Sequence, residues 1–105
     1  MQPTITARHC EISEALRERA IAVVQRLGNL MSRSMDSTVV FDTDGSQQTV
    51  EIRLHVPRGE VLVARGEASD HRTALDRAEE RLKKQVERLS SRPRRTRSAP
   101  SDNAL

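Results

Sequence analysis

Apolar and polar positions alternate along this chain with two different periods, and the switches between them divide it into six predicted elements. Residues 3–8, Pro-Thr-Ile-Thr-Ala-Arg, alternate as a short strand, with Pro3 confining its start to the edge or end of a sheet. Ser13 is placed to cap a helix in which Leu16, Ala20, Val23, Val24, Leu27, Leu30 and Met31 recur as one apolar stripe, while Gly28 and Asn29 weaken the last turn. Residues 38–43 read as a strand. Asp44-Gly45-Ser46 then supplies turn chemistry before Val50, Ile52, Leu54 and Val56 alternate with Glu51, Arg53 and His55, the strongest strand pattern in the chain. Pro57-Arg58-Gly59 reads as a tight turn into the strand 61–64, which completes a second hairpin. Asp70 opens the final helix. At about 100° per residue, Leu75, Ala78, Leu82, Val86 and Leu89 share one face of it, Arg77, Arg81, Lys84 and Arg88 gather on the opposite side, and Glu79, Glu80 and Glu87 occupy a flank.

The order β-α-β-β-β-α predicts an α+β fold, a two-layer sandwich in which two amphipathic helices cover one face of a four-stranded mixed sheet. A helical crossover makes the first two strands parallel, and the two hairpins continue the sheet antiparallel. Glu51, Arg53 and His55 are then expected on the solvent face. With 105 residues there is room for one core and no second domain. The domain is expected to span residues 1–90. Residues 91–105, rich in Arg and Ser with two prolines, have the composition of a disordered basic tail.

Charge sharpens this picture. Residues 1–80 hold ten Lys/Arg against thirteen Asp/Glu, a net of −3, whereas residues 81–105 hold eight against two, a net of +6. A basic helix face is by itself an ordinary solvated face, but sign asymmetry of this size suits a polyanion, where every neutralised phosphate releases counterions. Arg19, Arg26 and Arg33 repeat the device at seven-residue spacing on one edge of the first helix, so two basic helical edges are placed to line one groove. The RNA-binding candidates are Arg19, Arg26, Arg77, Arg81, Lys84, Arg88 and, continuing the line, Arg92.

Other chemistry finds little support. His9 and Cys10 are adjacent, and neighbours on a strand point to opposite faces, which rules against a nucleophile pair. A lone cysteine forms no internal disulfide, His55 and His71 lack ligand spacing, Glu79-Glu80 has nothing to mark an acid/base couple, and no Gly-rich phosphate loop is present. No enzyme activity, cofactor or metal is expected. No segment approaches the ~20 apolar residues of a membrane span and the N-terminus lacks a signal pattern, so a soluble, cytoplasmic chain is expected. One aromatic residue, Phe41, is too few for a base-stacking sheet, so recognition should be through shape and phosphates.

Several stretches resemble the short bacterial ribosome hibernation-promoting factors and ribosome-associated inhibitors, a family also described as sigma factor modulation proteins. They are Ile5-Thr6-Ala7-Arg8, the run from Glu11 to Arg17, Val50-Glu51-Ile52 through Pro57-Arg58-Gly59, and Asp70 followed by Ala74-Leu75-Asp76 and the run from Arg81 to Gln85. The resemblance covers residues 2–90. It implies a translation-inhibiting factor that binds the small ribosomal subunit in the decoding channel, occludes messenger and A- and P-site transfer RNA, and keeps idle ribosomes inactive. It further implies that Arg26, Arg81, Lys84 and Arg88 meet ribosomal RNA phosphates, that the chain is monomeric off the ribosome, and that any pairing of ribosomes needs a helper factor, the long forms' dimerisation domain having no counterpart before Leu105. Arg72 departs from the family pattern, which has an aromatic residue there. The alternatives are a protein-binding regulator acting on a sigma factor and a general double-stranded-RNA-binding module. The latter class places its basic cluster at the start of the last helix, where this chain has Asp70-His71-Arg72.

Overall fold

The computed structural model describes residues 3–31, 36–55 and 61–97, with side chains described through Leu30 and through Arg88 at the ends of the two helices. The elements follow the expected order: β1 (Thr4–Ala7), α1 (Glu14–Met31), β2 (Asp36–Asp44), β3 (Gln47–His55), β4 (Val61–Ala68) and α2 (His71–Arg97). The strands lie in the order β1-β2-β3-β4, with β1 parallel to β2 and both hairpin pairs antiparallel. This is the α+β sandwich that the patterning predicts.

Local chemistry sets the boundaries. Ser13 Oγ accepts the Leu16 amide at 3.0 Å, and the Asp70 carboxylate accepts the Thr73 amide at 2.7 Å and the Thr73 hydroxyl at 3.1 Å, so both helices begin on capping side chains. Between β2 and β3, Asp44 pairs with Gln47 across the two-residue loop Gly45-Ser46. Gly45 takes φ of 66°, as the first central position of a II′-type hairpin requires. The Pro57-Arg58-Gly59 turn and Val56 lie outside the described residues.

The register sorts the sheet into two faces. Ile5, Val39, Ile52 and Ala64 form one cross-strand row and Ala7, Phe41, Val50 and Gly66 the next, on the side covered by the helices. Val39, Phe41, Val50, Ile52 and Leu54 are fully buried there against Ala20, Val23 and Leu27 of α1 and Leu75, Ala78, Leu82 and Val86 of α2. Arg53 and His55 are exposed on the opposite face with Glu51 half-buried beside them, as expected. Leu30 departs from the predicted stripe: it is 44% exposed, because the last turn of α1 runs past the area its neighbours cover. β4 also runs four residues beyond its predicted end, through Arg65, Gly66, Glu67 and Ala68. The helical backbone of α2 continues to Arg97, across the boundary drawn at residue 90.

Gly66 explains why a strand interior carries a glycine. A Cβ at this position would lie 2.6 Å from the Ala78 nitrogen and closer still to the Ala74 carbonyl oxygen, so the missing side chain is what lets α2 lie directly on β4. Glycine to alanine in a strand is ordinarily neutral or favourable. Here Gly66→Ala is expected to cost about 1–3 kcal/mol by overpacking against backbone that has no rotamer to yield, read as a lower urea midpoint at constant slope.

Candidate nucleic-acid interface

The candidate cations fall into three groups once they are placed on the fold. Arg19 and Arg26 sit on the edge of α1 that faces α2, and both are engaged there. Arg19 donates through Nη2 to Asp76 Oδ1 at 2.8 Å, and Arg26 donates a two-pronged fork to Glu79, Nε and Nη2 each at 3.1 Å. The acids follow the arginines in chain order, so the two helices run in the same sense along this seam. Being partly solvated, the pairs contribute at most about 1 kcal/mol each, and their larger effect is to fix where the guanidiniums point. The groove expected between two basic edges is therefore lined at these points by neutralised pairs. Arg33 lies outside the described residues.

Arg77 and Arg81 form the second group. They project from α2 along its β4 side, and each donates through Nη1 to a backbone carbonyl of β4: Arg77 to Glu67 at 2.6 Å, Arg81 to Arg65 at 2.5 Å. Both side chains remain exposed, and each planar guanidinium keeps further donors for an anion.

Lys84 and Arg88 make the third group, exposed on α2 with Lys83 beside them. Arg92 lies beyond the described side chains. Glu87 is the acid nearest in sequence, so from Arg81 to Arg88 the exposed helix surface is strongly basic. Arg72, exposed at the start of α2, adds a cation to a cleft of about 460 Å³ between the N-terminal ends of both helices, where Arg19, His71 and the capping Ser13 and Asp70 also lie.

Phe41 is fully buried and packs edge-on against the His71 ring at a centroid distance of 5.4 Å. The chain's single aromatic residue is thus unable to stack on a base. Among the described residues no group of three potential metal ligands converges, and no helix is long and apolar enough to cross a membrane. His9, at φ of 58°, leaves the strand path and places Nδ1 3.0 Å from Asp42 Oδ1. His71 donates from Nε2 to the Asp42 carbonyl oxygen at 2.9 Å. Two of the three histidines therefore tie the β1–α1 connection and the start of α2 to one residue of β2.

Asp42 was not singled out by the sequence, yet it organises this corner. Its carboxyl titrates below the ordinary 3.8, first through the His9 hydrogen bond and then through the Thr43 amide. Asp70 is lowered likewise, by the Thr73 amide and hydroxyl. A carboxyl with a depressed folded pKa stabilises fully above its unfolded value, and that contribution is lost as pH falls through the folded pKa. Asp42→Asn and Asp70→Asn together should therefore flatten the acid limb of stability below about pH 4, measured by urea unfolding on a descending pH series.

The chain belongs to the family described as sigma 54 modulation protein / S30EA ribosomal protein, whose model matches residues 4–94. Among its relatives, a ribosome hibernation promoting factor of Pseudomonas putida is 30% identical over 88 residues, covering 84% of this chain and 85% of that protein. A ribosome hibernation promotion factor of Rhizobium meliloti is 29% identical over 89 residues, and the chain spans 47% of its length. The crystal structure of the Thermus thermophilus Protein Y N-terminal domain superposes with a TM-score of 0.73 at 29% identity, covering 82% of this chain and 94% of that one. The family resemblance carried by the sequence motifs is confirmed.

Proposed function

We propose that this chain is a ribosome hibernation factor that docks the basic face of α2 on small-subunit ribosomal RNA, in the decoding channel, and inhibits translation by excluding messenger and transfer RNA. The observation that carries the reading is the distribution of cations on the fold: Arg19 and Arg26 of α1 are bonded to acids across the helix seam, while Arg81, Lys83 and Lys84 are exposed together on α2 with Arg88 one turn further on. Relatives bearing the hibernation name support it. With Phe41 buried, the contacts are to phosphates and RNA shape, and the arginines add two-pronged phosphate recognition to simple attraction. The action is steric, and no residue performs chemistry.

The test is co-sedimentation with isolated small subunits across a salt series, with and without transfer RNA. Saturable binding that weakens steeply with salt and is displaced by transfer RNA supports channel occlusion; binding indifferent to both contradicts it. A second reading, a protein-binding regulator, is favoured by the open sheet face, where Val61 and Val63 are 47% and 41% exposed near Arg53 and Arg65. A complex that survives nuclease and high salt would support that reading instead.

A further inference from the structure

The contacts of Arg77 and Arg81 belong to a row of three. Gln85, one further turn along α2, donates from Nε2 to the Val63 carbonyl oxygen at 2.8 Å. Residues 77, 81 and 85 thus reach carbonyls 67, 65 and 63 in order, and this row lies along the outer edge of the sheet, since among the described residues β4 pairs only with β3. The spacing has a geometric cause. Four residues of helix rise about 6 Å and two residues of strand about 6.7 Å, so an antiparallel helix presents one side chain per outward carbonyl for three rungs before the mismatch accumulates.

We propose that Arg77, Arg81 and Gln85 are an edge guard, which keeps β4 from pairing with β4 of a second copy of this chain. An edge strand offers unpaired N–H and C=O groups to any extended segment, and proteins blunt such edges by shortening or covering them. The opposite edge is blunted by length, because β1 has four residues and follows Pro3. β4 is eight residues long and carries Val61 and Val63 exposed beside the edge. It is also self-complementary. An antiparallel pairing about a twofold axis at Ala64 aligns residues 61–67 of both copies, setting Val61 against position 67 and Val63 against position 65, with no like charges directly opposed. With three of its carbonyls already bonded, such pairing has to break the row first.

The guard shares Arg81 with the basic face, but its readout, self-association through β4, does not depend on what that face binds. The test compares the wild type with Arg77→Ala/Arg81→Ala/Gln85→Ala by sedimentation velocity over a concentration series, with hydrogen exchange at the amides of Val63, Arg65 and Glu67. The variant is expected to self-associate at least about tenfold more tightly than the wild type, with protection at those amides that rises with concentration. A folded variant that sediments as the wild type does and shows no such protection overturns the proposal. Gln85→Ala alone removes one rung without changing charge, so it serves if the triple variant fails to fold, and the same amides decide between the outcomes. Lys84→Glu leaves the row intact and is expected to weaken subunit binding while sedimenting like the wild type, so failure of the ribosome reading and failure of the guard are told apart.

Discussion

Reversing Arg81, Lys84 and Arg88 to Glu is expected to lower affinity for isolated small subunits about a thousandfold at moderate salt, at roughly 1–2 kcal/mol per phosphate-facing cation. The loss should shrink as salt rises, because the wild type sheds its own electrostatic advantage there. Reversal of Arg19 and Arg26 should act differently. Their guanidiniums are bonded to Asp76 and Glu79, so the first loss is the helix seam, and part of the effect should appear in stability. Equilibrium binding of labelled protein at two salt concentrations, alongside urea unfolding of the same variants, checks both statements. A triple variant that binds within a few-fold of the wild type would remove the α2 face from the account.

The largest expected loss of stability follows from Phe41→Ala. Phe41 is fully buried in the row shared with Val50 and Gly66 and touches the His71 ring, which itself anchors the start of α2 to β2. Truncation removes the one aromatic side chain of the core and leaves a cavity that neighbouring backbone constrains, at a cost of about 3–5 kcal/mol. For a small domain of total stability near 5–15 kcal/mol this is a large fraction, and thermal unfolding should fall by well over 10 °C, on the order of 4–8 °C per kcal/mol. Phe41→Leu, which preserves most of the volume, should recover the greater part. Equal loss in the two variants would mean that ring geometry at His71, and not filled volume, holds this corner.

How much of this was legible in the sequence depended on whether the relevant partner is local. The helix caps at Ser13 and Asp70, the Gly45 turn and the alternation of β3 were readable because each rests on neighbours within a few residues. The end of β4 was not: Arg65-Gly66-Glu67 looks like the end of a strand, and the glycine is explained only by the α2 backbone above it. The face of α2 was correct in angle, with Leu75, Ala78, Leu82 and Val86 all buried. What angle alone did not distinguish was Arg77 and Arg81, which bond a strand edge, from Lys84 on the open surface. Arg19 and Arg26 find their acids 57 and 53 positions away, beyond any local pattern. The four-residue spacing of Arg77, Arg81 and Gln85 was visible, but its meaning required the register of β4.

The most direct measurement is a structure of the chain bound to the small ribosomal subunit. The predicted result places the surface from Arg81 to Arg88 against ribosomal RNA phosphates in the decoding channel, with the sheet face carrying Arg53 and Val63 turned away from it. A complex seated through the sheet face on a ribosomal protein, or one that leaves the channel open to transfer RNA, would contradict the account.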